Sequence, residues 1–328
     1  MQQIFNRIEI MEPRSSDLGV GGLSIINGGK PMNKKLLAAI MAVTMATTVN
    51  AEVDVYGKFN LSLQSADRAG ASVFEVKNNS SRIGFKGSED VEGGLTAVYQ
   101  YELGIDPDDK DTWTQRNAFL GVKGDFGFVR AGVFDTAFKT SQGKVDVFGD
   151  LEGDMGSALT PNDNRMSNSV AYTTPSMGAM SASVHYIASE EDGEDSGVSA
   201  SATYKADALY VSVGYDNGVE ETDSTGLRLT AVYNFSNLQL GGLYETFEPA
   251  EGDSANAVLI SAKYKIDATT LKFQYGESDI KEMGATTLSV GVDYTVSKSL
   301  SLLSYISQEE SDEVLDDTFI GVGAVLKF

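Results

Sequence analysis

Few residues of this sequence could perform acid–base or nucleophilic chemistry. The 328 residues include one histidine, His185, and no cysteine. His185 lies in an alternating segment in which Ser181, Ser183 and Ser189 share its face, and no Asp–His or Ser–His spacing around it indicates a catalytic pair. No cluster of histidine and cysteine indicates a metal site. The sequence therefore predicts neither an enzyme nor a cofactor, and it predicts a histidine that lines a polar face.

Carboxylates are concentrated in an unusually long segment between two predicted strands, residues 135–167. Its centre reads VDVFGDLEGD and provides Asp146, Asp150, Glu152 and Asp154. Connections longer than about 15 residues are uncommon in compact proteins unless they have a function. These acids are either solvated loop residues or one half of a charged site, and the surrounding elements decide between the two.

The overall charge argues against a nucleic-acid partner. The chain has 25 basic and 47 acidic residues, a net charge of −22. Residues 52–328 alone reach −24, because residues 1–51 hold five of the bases and three of the acids. Phosphate binding requires a basic surface. Acidity alone is compatible with simple solubility, so the position of the acids along the chain carries more information.

The N-terminal region contains a secretory signal that is displaced from the start of the chain. Residues 32–51, MNKKLLAAIMAVTMATTVNA, combine two lysines, a 14-residue apolar run and a small-residue ending. The run is shorter than the roughly 20 residues of a membrane-spanning helix. We expect export with cleavage after Ala51, and we interpret residues 1–31 as an upstream extension before a true start at Met32.

Residues 52–328 alternate between apolar and polar side chains almost throughout. In VDVYGKFNLSLQ, which begins at Val53, apolar residues fall on one face and polar residues on the other, as in a strand with two different faces. Sixteen such segments are recognisable, although fourteen or eighteen would also fit. They begin near residues 53, 73, 95, 115, 128, 168, 180, 197, 209, 225, 238, 256, 269, 285, 299 and 318.

The order of the connections distinguishes a membrane barrel from a soluble sandwich. Short turns such as 206–208 and 236–237 alternate with long polar loops, and aromatic residues lie near the ends of the apolar faces. This combination is typical of outer-membrane barrels. Only GSEDVEGG, after the second strand, is long for a turn. We therefore predict an all-β fold, a transmembrane antiparallel barrel that is closed so that no strand edge stays unpaired.

Four stretches within residues 52–328 resemble the general-diffusion porins of Gram-negative outer membranes. EVDVYGKFNLSL resembles the first strand of that family, and SSRIGFKGSEDVEGGLTAVYQYE resembles its second hairpin. QRNAFLGVKGDFGFVRAGVFDTAF resembles the strand pair that leads into the constriction loop. The ending FIGVGAVLKF resembles the family's signal for the barrel-assembly machinery, with Phe328 as its last residue. The resemblance implies a homotrimer in the cell outer membrane, in contact with lipid and lipopolysaccharide.

The resemblance also implies where the channel is narrowed. In this family the third long loop, here residues 135–167, folds into the barrel and its acids face a wall of basic residues. The acids are Asp146, Asp150, Glu152 and Asp154, and the matching bases are Lys58, Arg82, Arg116 and Arg165. Three of the four bases share faces with polar residues, as pore lining requires, whereas Arg116 shares parity with apolar neighbours.

We expect a water-filled pore through which ions and small hydrophilic solutes diffuse passively. Acids of the outer loops, among them Glu190, Glu191, Glu309 and Glu310, should attract cations to the mouth and give a mild cation preference. The alternatives are a solute-specific channel, an outer-membrane barrel enzyme, and an adhesin or phage-receptor role of the exposed loops. The acidic loop argues against phosphate selectivity, two inward tyrosines are too few for a sugar path, and a single histidine argues against an enzyme.

Overall fold

The computed structural model describes residues 52–109, 113–190 and 196–328. The predicted signal at 32–51 and the predicted upstream extension at 1–31 lie outside the described residues. So do residues 110–112 and 191–195, and with them Glu191. The described residues form one antiparallel sheet that closes on itself into a barrel.

Seventeen strands follow one another in the described part of the chain. They are β1 (Glu52–Arg68), β2 (Ala71–Asn78), β3 (Arg82–Val91), β4 (Leu95–Ile105), β5 (Trp113–Gly124), β6 (Gly127–Asp135), β7 (Arg165–Thr173), β8 (Met180–Ile187), β9 (Gly197–Ala206), β10 (Leu209–Asn217), β11 (Thr225–Phe235), β12 (Leu238–Glu248), β13 (Ala255–Ile266), β14 (Thr269–Ser278), β15 (Ala285–Thr295), β16 (Leu300–Glu310) and β17 (Asp316–Lys327).

The barrel nevertheless has sixteen strand positions around its circumference, because β2 and β3 together occupy one of them. β1 pairs with β2 through residues 61–68 and with β3 through residues 52–58. The chain leaves the ladder between β2 and β3, where Ser80 has a left-handed backbone conformation with φ 54°. On its other edge β1 pairs with β17 through residues 58–68, which closes the ring. The predicted count of sixteen strands is confirmed.

The two faces of the strands meet different surroundings. On one face of β1, Val55 is 66% and Leu63 47% exposed, whereas Asn60 and Gln64 on the opposite face are buried at 5% and 0%. A soluble protein buries its apolar face. An apolar exterior around a polar interior is the arrangement of a barrel that faces lipid.

Connections alternate in length around most of the ring, as predicted. One side has turns of two to six residues, and the other carries the longer loops, of which residues 136–164 form the longest. The exception is the first connection on the long-loop side, because only residues 69–70 join β1 to β2. The segment GSEDVEGG is not a long turn, because β3 continues to Val91 and only residues 92–94 form the reversal. Gly93 and Gly94 both have positive φ there, which allows the tight turn.

Residues 136–164, called loop 3 from here on, contain two short helices, α1 (Ala137–Ser141) and α2 (Met155–Ala158). Within the described residues, no helix is long and apolar enough to cross a membrane. Two clusters of buried apolar residues lie where loop 3 meets the barrel wall. One holds Val147, Phe148 and Leu151 with Leu303, Tyr305 and Phe319, and the other holds Val145, Met155, Ala158 and Leu159 with Val232, Leu243 and Leu259.

We expect Gly323→Val to weaken the seam between β1 and β17. A Cβ at Gly323 would lie 2.3 Å from the carbonyl oxygen of Leu61, so the added side chain must push the two strands apart. Overpacking of this kind costs about 1–3 kcal/mol. The measurement is the urea midpoint for loss of the β-sheet circular dichroism of the protein in detergent micelles, which should fall.

Gly242→Val is the matched control for the seam variant. No atom lies within 4 Å of a Cβ placed at Gly242, so this variant should keep the wild-type midpoint. Equal midpoints for the two variants would contradict the close approach of β17 to β1.

Candidate functional site: the lumen beside loop 3

Loop 3 leaves the end of β6 and enters the barrel. Thr136 caps α1 by accepting a hydrogen bond from the N–H of Lys139 at 3.0 Å. The N–H of Phe138 donates to Ser199 Oγ of β9 at 2.9 Å, so α1 lies against the inner wall. The loop is slightly shorter than the expected segment 135–167, because both ends of that segment belong to strands.

Polar side chains of the wall satisfy the backbone of loop 3. Gln274 of β14 accepts a hydrogen bond from the N–H of Val147 at 2.8 Å and donates one to the carbonyl of Gly153 at 2.7 Å. Ser278 donates to the carbonyl of Leu159 at 2.6 Å. Buried backbone groups need such partners. The polar inner faces therefore allow a long loop to lie inside the barrel.

A buried ion-pair network attaches both limbs of loop 3 to the wall. The guanidinium of Arg228 in β11 is fully buried and lies 2.6 Å from Glu245 of β12 and 3.0 Å from Asp163 of the loop. It also lies 4.3 Å from the centroid of the Phe138 ring, and Glu245 accepts a hydrogen bond from Thr160 Oγ1. Removing one member of a buried ion pair costs about 3–5 kcal/mol, because the other charge is left unpaired.

Two of the predicted loop acids contact basic residues directly. Asp150 lies 2.5 Å from Lys58 Nζ and 3.1 Å from an Nη atom of Arg82, and Glu152 lies 2.9 Å from Lys77 Nζ. Burial opposes ionisation of Asp150, but the charges of Lys58 and Arg82 outweigh it and lower the pKa of this carboxylate. The structure thus brings Asp150 together with two predicted bases, in contact and not across an open gap.

The other two loop acids, Asp146 and Asp154, turn into the loop itself. Asp146 accepts hydrogen bonds from the N–H groups of Phe148 and Met155. Asp154 accepts one from the N–H of Asp150. Burial and the nearby charge of Asp154 raise the pKa of Asp146 to about 7, and burial also raises the pKa of Asp154. These two acids shape the loop backbone, and the structure does not bring them to the basic wall.

A β-bulge turns Arg116 into the lumen against its apparent parity. The register between β4 and β5 shifts between Tyr101 and Leu103, and Arg116 Nε donates to Glu102 Oε1 on the inner face at 2.6 Å. The next residue, Asn117, is also directed inward, where it bonds to Asp135. A bulge inserts an extra residue and redirects the side chains that follow. Parity counted along β5 therefore fails at this position.

Arg165 lies at the start of β7 and pairs with Asp135 at the end of β6, at 2.9 Å. Each of the four predicted bases thus has a carboxylate partner. Only Lys58 and Arg82 take theirs from loop 3, since Glu102 and Asp135 belong to strands.

The lumen beside loop 3 contains a cavity of ≈ 800 Å³. Charged side chains of both signs line it. The bases are Arg116, Lys139, Lys144, Arg165, Lys263, Lys272 and Lys281, and the acids are Asp135, Asp146, Asp150, Asp154, Asp163, Glu220 and Asp293. Such a wall suits hydrated solutes, because moving polar groups away from water without new partners is costly.

His185 is part of the packed wall. It is buried on the inner face of β8, with Nε2 3.1 Å from Ser183 Oγ and its ring edge-to-face with Phe134 at a centroid distance of 5.3 Å. Across the described ranges no carboxylate pairs with it.

Sequence reasoning missed Arg228, Glu245 and Asp163. The alternation does place Arg228 and Glu245 on polar faces, and the ladder makes them direct cross-strand neighbours. β11 and β12 are joined by a two-residue turn, and a turn of that length sets the register. An opposite-charge pair facing across this predicted hairpin was the available signal.

These observations define a class: a sixteen-stranded transmembrane barrel whose polar lumen is narrowed by an internal loop. The sequence model of the Gram-negative porin family matches residues 37–313. The chain belongs to this family and is accordingly an outer-membrane protein.

Neisserial proteins are among the relatives of this chain. Major outer membrane protein P.IB of Neisseria gonorrhoeae is 31% identical over 176 residues, which cover 49% of this chain and 50% of that protein. The matched part thus spans about half the length of the gonococcal relative. Major outer membrane protein P.IB of Neisseria meningitidis serogroup B is 24% identical over 331 residues, which cover 90% of this chain and all of that protein.

Solved structures share the fold. The anion-selective porin from Comamonas acidovorans superposes with a TM-score of 0.72 at 22% identity, covering 85% of this chain and 100% of that one. Salmonella typhi OmpF, solved in complex with daunomycin, superposes with a TM-score of 0.73 at 17% identity, covering 85% and 98%.

Proposed function

We propose that the protein is a general-diffusion porin that lets ions and small hydrophilic solutes cross the outer membrane passively. The observation that carries this proposal is the charged cavity beside loop 3. Its lining mixes bases and acids, and of the described residues no aromatic one lines it. Such a wall accepts polar solutes by size and hydration, and it lacks the stacked rings that a sugar-specific path would use.

Loop 3 and the bases it contacts set the width of the opening in this proposal. Lys58, Arg82, Arg116 and Arg165 form the basic wall, and Asp150 bridges it to the loop. Asp146 and Asp154 act indirectly, by holding the loop backbone, and Glu152 acts through Lys77. The porin family and its fold point to a channel and not to an enzyme.

Liposome swelling with sugars of increasing size tests passive diffusion. We expect uptake to fall smoothly with solute size and not to saturate with concentration, because no step requires a bound solute. Arg82→Ala should admit larger sugars, since it removes a side chain that lines the recess beside Asp150. Saturating uptake of one sugar would support a solute-specific channel and contradict the proposal.

Arg68→Ala is the matched control for the swelling assay. Arg68 pairs with Glu75 at the long-loop end of β1 and is 41% exposed. Its replacement removes one positive charge that lies in the lining of neither the main cavity nor the recess beside Asp150, so the size dependence should stay that of the wild type.

We also propose a mild cation preference, set by acids of the long loops. Glu310 is the exposed last residue of β16, and Asp312 and Glu313 are exposed in the loop that follows it. Fixed negative charge raises the local cation concentration within a Debye length of about 8 Å. These acids could also bridge divalent cations to lipopolysaccharide.

The reversal potential across a planar bilayer in a KCl gradient measures this preference. We expect a reversal potential with the sign of potassium selectivity. In the triple variant Glu310→Gln/Asp312→Asn/Glu313→Gln, this potential should shift toward zero. The control Asp207→Asn/Asp267→Asn removes two acids at short turns, where asparagine tolerates the positive φ of both positions. A clear chloride preference of the wild type would refute the proposal.

Assembly as a homotrimer and recognition of the C-terminus by the assembly machinery complete the proposal. The position of Phe328 supports the proposed recognition by the assembly machinery. Its N–H donates to the carbonyl of Gly57, and its ring lies at 6.3 Å from that of Phe59 at the short-turn end of the closing seam.

A further inference from the structure

Charge is segregated along the axis of the barrel. On the long-loop side, loops 218–224, 249–254, 279–284 and 311–315 carry many acids. Among the residues of these four loops Lys281 is the only base, and its ammonium donates to the carbonyls of Gly156 and Ser157 in loop 3. On the short-turn side of loop 3, by contrast, the inner faces carry several lysines.

These inner lysines surround a recess of ≈ 430 Å³ between loop 3 and the short turns. Its charged residues are Lys58, Arg82, Lys272, Lys298 and Lys327 against Asp150 and Asp293. Lys58 and Arg82 share Asp150, and Lys272 pairs with Asp293 at 3.1 Å. The recess therefore has an excess of positive charge.

Four lysines on this side of the lumen have no ion-pair partner among the described residues. Lys298 and Lys327 lie in the recess, and Lys144 and Lys263 lie beside it in the main cavity. Acids of the short turns, such as Asp207 and Asp267, lie at the rim beyond these lysines and face the bulk solvent.

Two zones of opposite sign in series make an ion path asymmetric. The acidic zone fills with mobile cations and the basic zone with mobile anions, because each wall attracts its counter-ion. A voltage that is positive on the long-loop side drives both ions toward the junction, where they accumulate. The opposite voltage draws both away from the junction and depletes it.

We propose that the pore rectifies ionic current, conducting better when the long-loop side is positive. This inference rests on the proposed function, since it requires an open pore. In outer-membrane barrels the long loops face the exterior, so cations would pass inward and anions outward more readily than in the reverse directions. The acids of the mouth and the lysines below loop 3 act together, because both favour conduction in the same direction.

Current–voltage curves of single insertions in a planar bilayer test the proposal. The chain has no cysteine, so a single Ser254→Cys in the exposed loop 249–254 can be biotinylated, and streptavidin added to one side reports the orientation. We expect about a twofold ratio of conductance at +100 and −100 mV in 0.1 M KCl, where the Debye length is about 10 Å. The ratio should approach one in 1 M KCl, where screening extends only about 3 Å.

The double variant Lys298→Gln/Lys327→Gln should lower the ratio in 0.1 M KCl toward one. The matched control Lys298→Arg/Lys327→Arg keeps both charges and should keep the ratio. A symmetric wild-type curve at low salt, rectification of the opposite sign, or a ratio that the glutamine variant leaves unchanged would each overturn the inference. A correctly folded protein that forms no channel would instead refute the proposed function.

Discussion

The buried network around Arg228 is the interaction on which the shape of the lumen depends. A sixteen-stranded barrel is too wide for its own side chains to fill. The segment that folds into the lumen therefore determines which solutes can pass. Loop 3 enters with its backbone polar groups, which need partners once they leave water. Arg228 joins Glu245 of the wall to Asp163 of one limb and stacks on Phe138 of the other. These contacts hold loop 3 in one position, and the opening beside it therefore has a fixed size.

The polar inner faces thus have two uses in the same molecule. Where loop 3 lies against them, serine and glutamine side chains replace water for its backbone, as Gln274 does for Val147 and Gly153. Where the loop is absent, charged side chains keep the lumen hydrated. The bases near the loop are mostly paired, so the unpaired lysines closer to the short turns and the acids of the long loops dominate the field along the axis.

Strand number and strand faces were predictable because alternation is a local property of the sequence. β1 illustrates this, since Val55 is exposed to lipid and Gln64 is buried inside as its parity requires. The alternation predicts the wrong face for Arg116, because the β-bulge adds a residue that the pattern of apolar and polar residues does not reveal. The partners of the loop acids were not predictable for a different reason. Loop 3 has no period, and whether Asp146 faces a base or its own backbone depends on how the whole loop folds.

A disulfide between loop 3 and the wall tests most directly that the loop is held there. A Cβ at Gly153 would lie 2.9 Å from Cβ of Ser289 in β15, which is shorter than the roughly 3.8 Å of a disulfide, so the loop and the strand must separate by about 1 Å when the bond forms. Gly153→Cys/Ser289→Cys should form the bond on mild oxidation, and single-channel conductance should not change when it is reduced. The control Gly153→Cys/Ser183→Cys, with the second cysteine on the inner face of β8, should form none. Equal cross-linking of both pairs, or a conductance that rises on reduction, would show a mobile loop and contradict this account.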